Sequence, residues 1–251
     1  MRRGTVVSLA MVVVAWSAGS ASAQAQPPLS PLQTAIMCGP PANAEPPGDK
    51  ALHIRGAQDT RARSMFGPYD LLVVDGGTNA GVQLGREYFV RRSLRFGLPY
   101  GAPPHGALNV AWIRIVAVNE TTAIANVVQM CDAVASGDYL DPFTMPTPPP
   151  DAERTVATGE PDFTVLSRVV AGAQHRDLGG AGDLMVMSSG TDQGVAPGAR
   201  FAVYRDVQAG GMPLASVGEA VVISAARTES VIRLTQTRDA VQPGDYLVPR
   251  K

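Results

Sequence analysis

The sequence predicts an all-β protein of two tandem small antiparallel β-barrel-like domains joined by a Pro-rich linker. Three observations predict it. The stretch Gly67 to Arg92, GPYDLLVVDGGTNAGVQLGREYFVRR, recurs without a gap as Gly180 to Arg205, GAGDLMVMSSGTDQGVAPGARFAVYR, at an offset of 113 residues. Ten of the twenty-three positions from Asp70 to Arg92 are identical in the second copy. A second block, Asp132-Ala-Val-x-x-Gly-Asp-Tyr-Leu-x-Pro142, recurs as Asp239-Ala-Val-x-x-Gly-Asp-Tyr-Leu-x-Pro249. Self-similarity of this kind marks repeated supersecondary units. Each unit carries about six short strand patterns and no helical period. Such strands expose edges unless the sheet curls shut.

Taken in order, residues 1–23 read as a secretory signal peptide. Arg2 and Arg3 form the basic start, Val6 to Trp16 the apolar core, and Ala21-Ser22-Ala23 the cleavage site. The apolar core is short for a bilayer span, so no transmembrane segment is expected after cleavage at Gln24. Loss of Arg2 and Arg3 takes the formal charge from −1 to −3. Residues 24–50, with Gly39-Pro-Pro and Pro46-Pro-Gly, read as a Pro-rich extended arm.

The first repeat spans 51–142 and the second 161–251. Tyr69 to Val74 and Asp183 to Met187 are short apolar runs of buried-strand length. Gly81 and Gly85, with their counterparts Gly194 and Gly198, suit turn positions of positive φ. Pro197-Gly198 is a type II turn pair. Arg200 to Arg205 alternates in period two, as a half-buried strand does. Two more strands follow in each copy: Val110 to Val118 and Thr122 to Met130, then Val217 to Ala225 and Ser230 to Thr235. Gly137-Asp138 and Gly244-Asp245 form the last turn. Between the repeats, 143–160 holds Pro146, Pro148, Pro149 and Pro150, which oppose helix and sheet and make a semi-rigid spacer.

A duplicated β architecture invites comparison with two-lobed proteases, and the residues do not support it. A shared-proton carboxylate pair needs an acid in each lobe. Here Asp75-Gly-Gly-Thr78 is matched by Ser188-Ser-Gly-Thr191, without the second acid. The Gly-Asp turns are followed by Tyr139 and Tyr246, not by a serine nucleophile. The repeated acids Asp70, Asp183, Asp138 and Asp245 read as turn residues that accept hydrogen bonds from backbone amides. His53, His105 and His175 are widely spaced, so no metal site and no cofactor is expected. Met185 and Met187 stand where the first copy has Leu72 and Val74, so they read as core.

Cys38 and Cys131 both survive cleavage. In an exported chain they are candidates for a disulfide, which would pin the arm to the end of the first repeat and stabilise by roughly 2–4 kcal/mol. Spacing alone leaves two free buried thiols open. The near-neutral charge carries no footprint for nucleic acid. Arg91, Arg92 and Arg95 make the one local basic cluster, a possible contact loop for an anionic envelope polymer. Trp112 is the one tryptophan outside the signal segment, which weighs against a carbohydrate platform. The loops that differ between copies, Arg92–His105 and Asp206–Pro213, are the expected recognition surfaces.

The pattern Gly-Val-x-x-Gly-x-x-Phe-x-Val-Tyr-Arg205, then a strand pair, then Val-x-x-Gly-Asp-Tyr-Leu-x-Pro249, resembles the C-terminal domain of flagellar assembly protein T. It also resembles the C-terminal module of some bacterial lysin-motif envelope proteins. Residues 163–251 match best and 52–142 more loosely. The resemblance implies a non-catalytic module of the bacterial envelope, periplasmic or secreted, that associates with envelope proteins or peptidoglycan. The competing expectation is an envelope hydrolase with its site in the cleft between the repeats.

Overall fold

The structure, a computed structural model, describes residues 29–41, 47–94, 106–155, 158–173, 176–207 and 213–251. The predicted signal peptide and Arg95 lie outside the described residues, as do most of the two variable loops.

The first unit contains β1 (Ile54–Ala57), β2 (Met65–Phe66), β3 (Leu71–Val74), β4 (Glu87–Leu94), β5 (Gly106–Val118), β6 (Ala123–Met130), β7 (Val134–Ala135) and β8 (Tyr139–Pro142). The second contains β9 (Ser167–Gly172), β10 (Leu184–Met187), β11 (Arg200–Asp206), β12 (Leu214–Ala225), β13 (Ser230–Thr237) and β14 (Tyr246–Pro249). In the second unit the antiparallel order β10-β13-β12-β11-β14-β9 closes into a barrel. The first unit repeats it as a curled six-stranded sheet, β1-β3-β6-β5-β4-β8, with β2 and β7 as a separate pair. Its seam is drawn together by the His53–Tyr139 bridge and by backbone bonds from Ile54 N–H to Asp138 O and Leu140 N–H to Leu52 O, both 2.8 Å. The protein is all-β and barrel-like in both halves.

Alternation along each strand fills the two interiors. Ile54, Leu72, Val74, Ile113 and Ile115 anchor the first core; Met185, Met187, Ile232, Leu234 and Leu247 anchor the second. Met185 and Met187 are fully buried, matching Leu72 and Val74 of the first copy.

One glycine forced by close approach recurs in both copies. Gly77 and Gly190 lie against the hairpin turns of β5–β6 and β12–β13. A methyl group placed on either falls on the carbonyl oxygen of Asn119 or Ala226. The same approach lets Thr78 N–H reach Asn119 O and Thr191 N–H reach Ala226 O, each at 2.8 Å.

The N-terminal segment differs from its expectation. The Pro-rich extended arm contains a helix, α1 (Pro31–Cys38). Ser30 caps it: its Oγ accepts Gln33 N–H while the Gln33 side chain accepts Ser30 N–H, with Pro31 at the first helical position. Eight residues are too few to hold a helix alone in water, so packing must hold it. Leu32 and Ile36 lie on the second unit, against Leu184, Val221, Ile223 and Val231. Met37 and Cys38 lie on the first, against Phe89, Trp112, Phe143 and Cys131. The helix is a wedge between the units. The linker after it is also packed: Ala152 is buried with Leu32 and Leu184.

Candidate functional site

The four repeated carboxylates share one local geometry. Asp70, Asp138, Asp183 and Asp245 each accept the backbone N–H three residues before them, from Gly67, Ala135, Gly180 and Gln242, at 2.6, 2.7, 2.8 and 2.9 Å. Each N–H belongs to a tight turn, so the carboxylate closes the bend. Glycines follow the same plan: Gly81, Gly85, Gly137, Gly194, Gly198 and Gly244 all have positive φ, from 76 to 96°.

Two of the carboxylates have a further, duplicated role. Arg92 on β4 grips Asp138 with Nε and Nη2, both at 2.9 Å, and donates to Ala133 O at 2.7 Å. Arg205 on β11 grips Asp245 with the same two nitrogens, both at 2.8 Å, and donates to Ala240 O at 2.6 Å. Asp138 and Asp245 are only 3% and 2% exposed. The fork geometry of guanidinium matches a carboxylate bidentately. The carboxylates hold both guanidinium groups above the usual arginine range, more than burial lowers them.

The contact-loop expectation is corrected for two of its three arginines. Arg91 and Arg92 lie on β4, not in a loop, because the strand continues to Leu94. Arg91 pairs with Asp141 at 2.9 Å and donates to Asn109 Oδ1 at 3.1 Å.

Asp75 and Ser188, the mismatched pair of the two Gly-Thr turns, do the same work. Asp75 Oδ1 accepts His53 N–H at 2.6 Å, and Ser188 Oγ accepts Arg168 N–H at 3.0 Å. A hydroxyl serves as acceptor as well as an acid here. The Asp75 carboxylate also faces Arg55 at 3.2 Å.

Cys38 and Cys131 are joined by a disulfide, which ties the end of α1 to the end of β6. Beside it Trp112 is buried and stacked on Phe143, rings 4.3 Å apart and nearly parallel. Asn109 donates to Gly39 O at 3.1 Å, fixing the chain as it leaves the helix. A β-carbon on Gly39 would stand 2.5 Å from Leu184 of the second unit.

The junction also has an open groove of about 500 Å³, between the start of α1 and the linker turn. Ser30, Leu32, Pro149, Asp151 and Arg154 line it. Asp151 pairs with Arg154 at 3.3 Å on its rim. Among the described residues no three or more histidine, cysteine or acidic side chains are grouped to hold a metal ion, and no helix is long and apolar enough to cross a membrane.

What the sequence reading missed is α1 and its two seats. Ser30-Pro31-Leu32-Gln33 is a capping-box signature, and it was the available signal. No protein-family model matches the chain, and no curated protein does.

Proposed function

We propose that the protein is a non-catalytic binding or scaffolding module exported to the bacterial cell envelope. The particular form is a pair of modules like the terminal domain of flagellar assembly protein T, associating with envelope proteins or peptidoglycan. The observation that carries the reading is the duplicated engagement of the carboxylates. Asp138 and Asp245 are each closed in by one arginine and one turn amide, in the same way in both copies. A fold needs its turns in every copy, whereas one reaction centre needs an acid free to meet a substrate. The Cys38–Cys131 bond supports an oxidising compartment, in line with the signal-peptide reading.

The test is capture by the mature chain, residues 24–251, from detergent-solubilised envelopes, with co-sedimentation on purified peptidoglycan. Retention of a defined partner or of the wall polymer, without turnover, is the expected result. Turnover of a wall-derived or peptide substrate would overturn the reading in favour of an envelope hydrolase.

A further inference from the structure

The outward faces of the two sheets can be compared position by position, because the register repeats. Leu184 and Val221 flank Arg233 on neighbouring strands, as Leu71 and Arg114 flank Asn126. By the same register Val116 corresponds to Ile223 and Ile124 to Val231. In the second unit Leu184, Val221, Ile223 and Val231 are all buried, beneath Leu32 and Ile36 of α1 and Ala152. In the first unit Leu71 and Val116 are each 43% exposed, Val128 is also exposed and Ile124 is half-buried. Apolar side chains grouped on one sheet face are unusual where no described segment covers them.

At their centres the two faces differ. Arg233 donates to the backbone of the covering segment, at Ala152 O, 3.2 Å. Its counterpart Asn126 is half-buried between Leu71 and Arg114, and Arg114 pairs with Glu87 at 2.6 Å.

We propose that this face of the first unit docks a short amphipathic helix of a partner protein, presenting two aliphatic side chains one turn apart. The inference rests on the scaffold reading and names its contact surface. The occupant is a helix because the matching surface of the same chain holds one, seated by Leu32 and Ile36 at i and i+4. A second copy fits less well, since a stable dimer needs about 20–30 residues a side and this face offers a handful. The chain's own α1 is committed elsewhere, seated on the second unit and bonded to Cys131.

The test uses the intact mature chain and a labelled peptide of residues 29–39 with Cys38→Ser, which presents the Leu32 and Ile36 spacing but cannot form the disulfide. Saturable binding is expected, with methyl shifts at Leu71, Val116 and Ile124. Val116→Asp should weaken it at least tenfold, and so should Leu71→Glu, with the thermal midpoint of each variant recorded as a check on folding. A peptide carrying Leu32→Ala and Ile36→Ala should not bind. The proposal is overturned by no binding at about 1 mM peptide, by equal binding to both variants, or by shifts at Val221 and Ile223 instead. Methyl shifts that depend on protein concentration without peptide would assign the face to a second copy and overturn it too. If an envelope partner is captured equally by the wild-type chain and Val116→Asp, this surface is wrong while the scaffold reading stands.

Discussion

Arg205 and Asp245 show what a single residue does in this fold. The arginine comes from the end of β11 and the aspartate from the last turn, so their two parallel hydrogen bonds tie a bend to a strand. Removing one member leaves the other's polar groups desolvated. Asp245→Ala should therefore lower unfolding stability by about 2–3 kcal/mol, read from denaturant midpoints, with the exposed part of the guanidinium moderating the loss. Arg205→Lys should cost about half of that, because an ammonium cannot make the fork. A more exposed pair gives a pH signature. The Arg63 guanidinium, then the Gly67 amide, holds the Asp70 carboxyl below its usual range. A depressed carboxyl stabilises the fold above its unfolded value, about pH 3.9, and loses that contribution as pH falls through the lower folded value. The stability gap between wild type and Arg63→Gln should thus be widest near about pH 6 and shrink below about pH 4. A gap constant over that range would contradict it.

At the scale of elements, the glycines separate two kinds of constraint. Gly194 has φ of 76° but open space around its missing side chain, so Gly194→Ala should cost only the strain, about 1 kcal/mol. Gly190 has an ordinary extended backbone yet abuts the Ala226 carbonyl. Gly190→Ala must push the β12–β13 turn away and should cost more than about 2 kcal/mol; equal losses at the two sites would refute the distinction. Loss of the cap by Ser30→Ala should destabilise by about 1 kcal/mol, most visibly as faster amide exchange in α1. The strands were legible in the sequence because apolar runs such as Leu184 to Met187 sit between turn residues and occur twice. Helix α1 was not. Its apolar residues serve two surfaces, Leu32 and Ile36 one and Met37 the other, so no single stripe forms over its eight residues. The partner of Asp138 left no local mark either, since Arg92 is 46 residues away and is chosen by strand pairing.

For the molecule as a whole, the disulfide decides whether the two units keep their wedge. It closes a loop with a sequence separation of 93 residues. Reduction, or Cys38→Ser with Cys131→Ser, should lower stability by about 2–4 kcal/mol. It should also raise proteolytic sensitivity between residues 29 and 41, because the seats of Leu32 and Met37 then hold α1 unaided. Unchanged protection there would show that packing alone suffices.

The wedge also imposes an order of assembly. Residues 31–38 leave the ribosome well before Val221, Ile223 and Val231, which make half of their resting place. Until those arrive, the short apolar turn can be moored only on the first unit, by Met37 against Phe89 and Trp112 and by its thiol once Cys131 has emerged. Helix α1 therefore waits for strands made much later, and a product stalled before them would display Leu32 and Ile36 bare to whatever quality-control machinery is near.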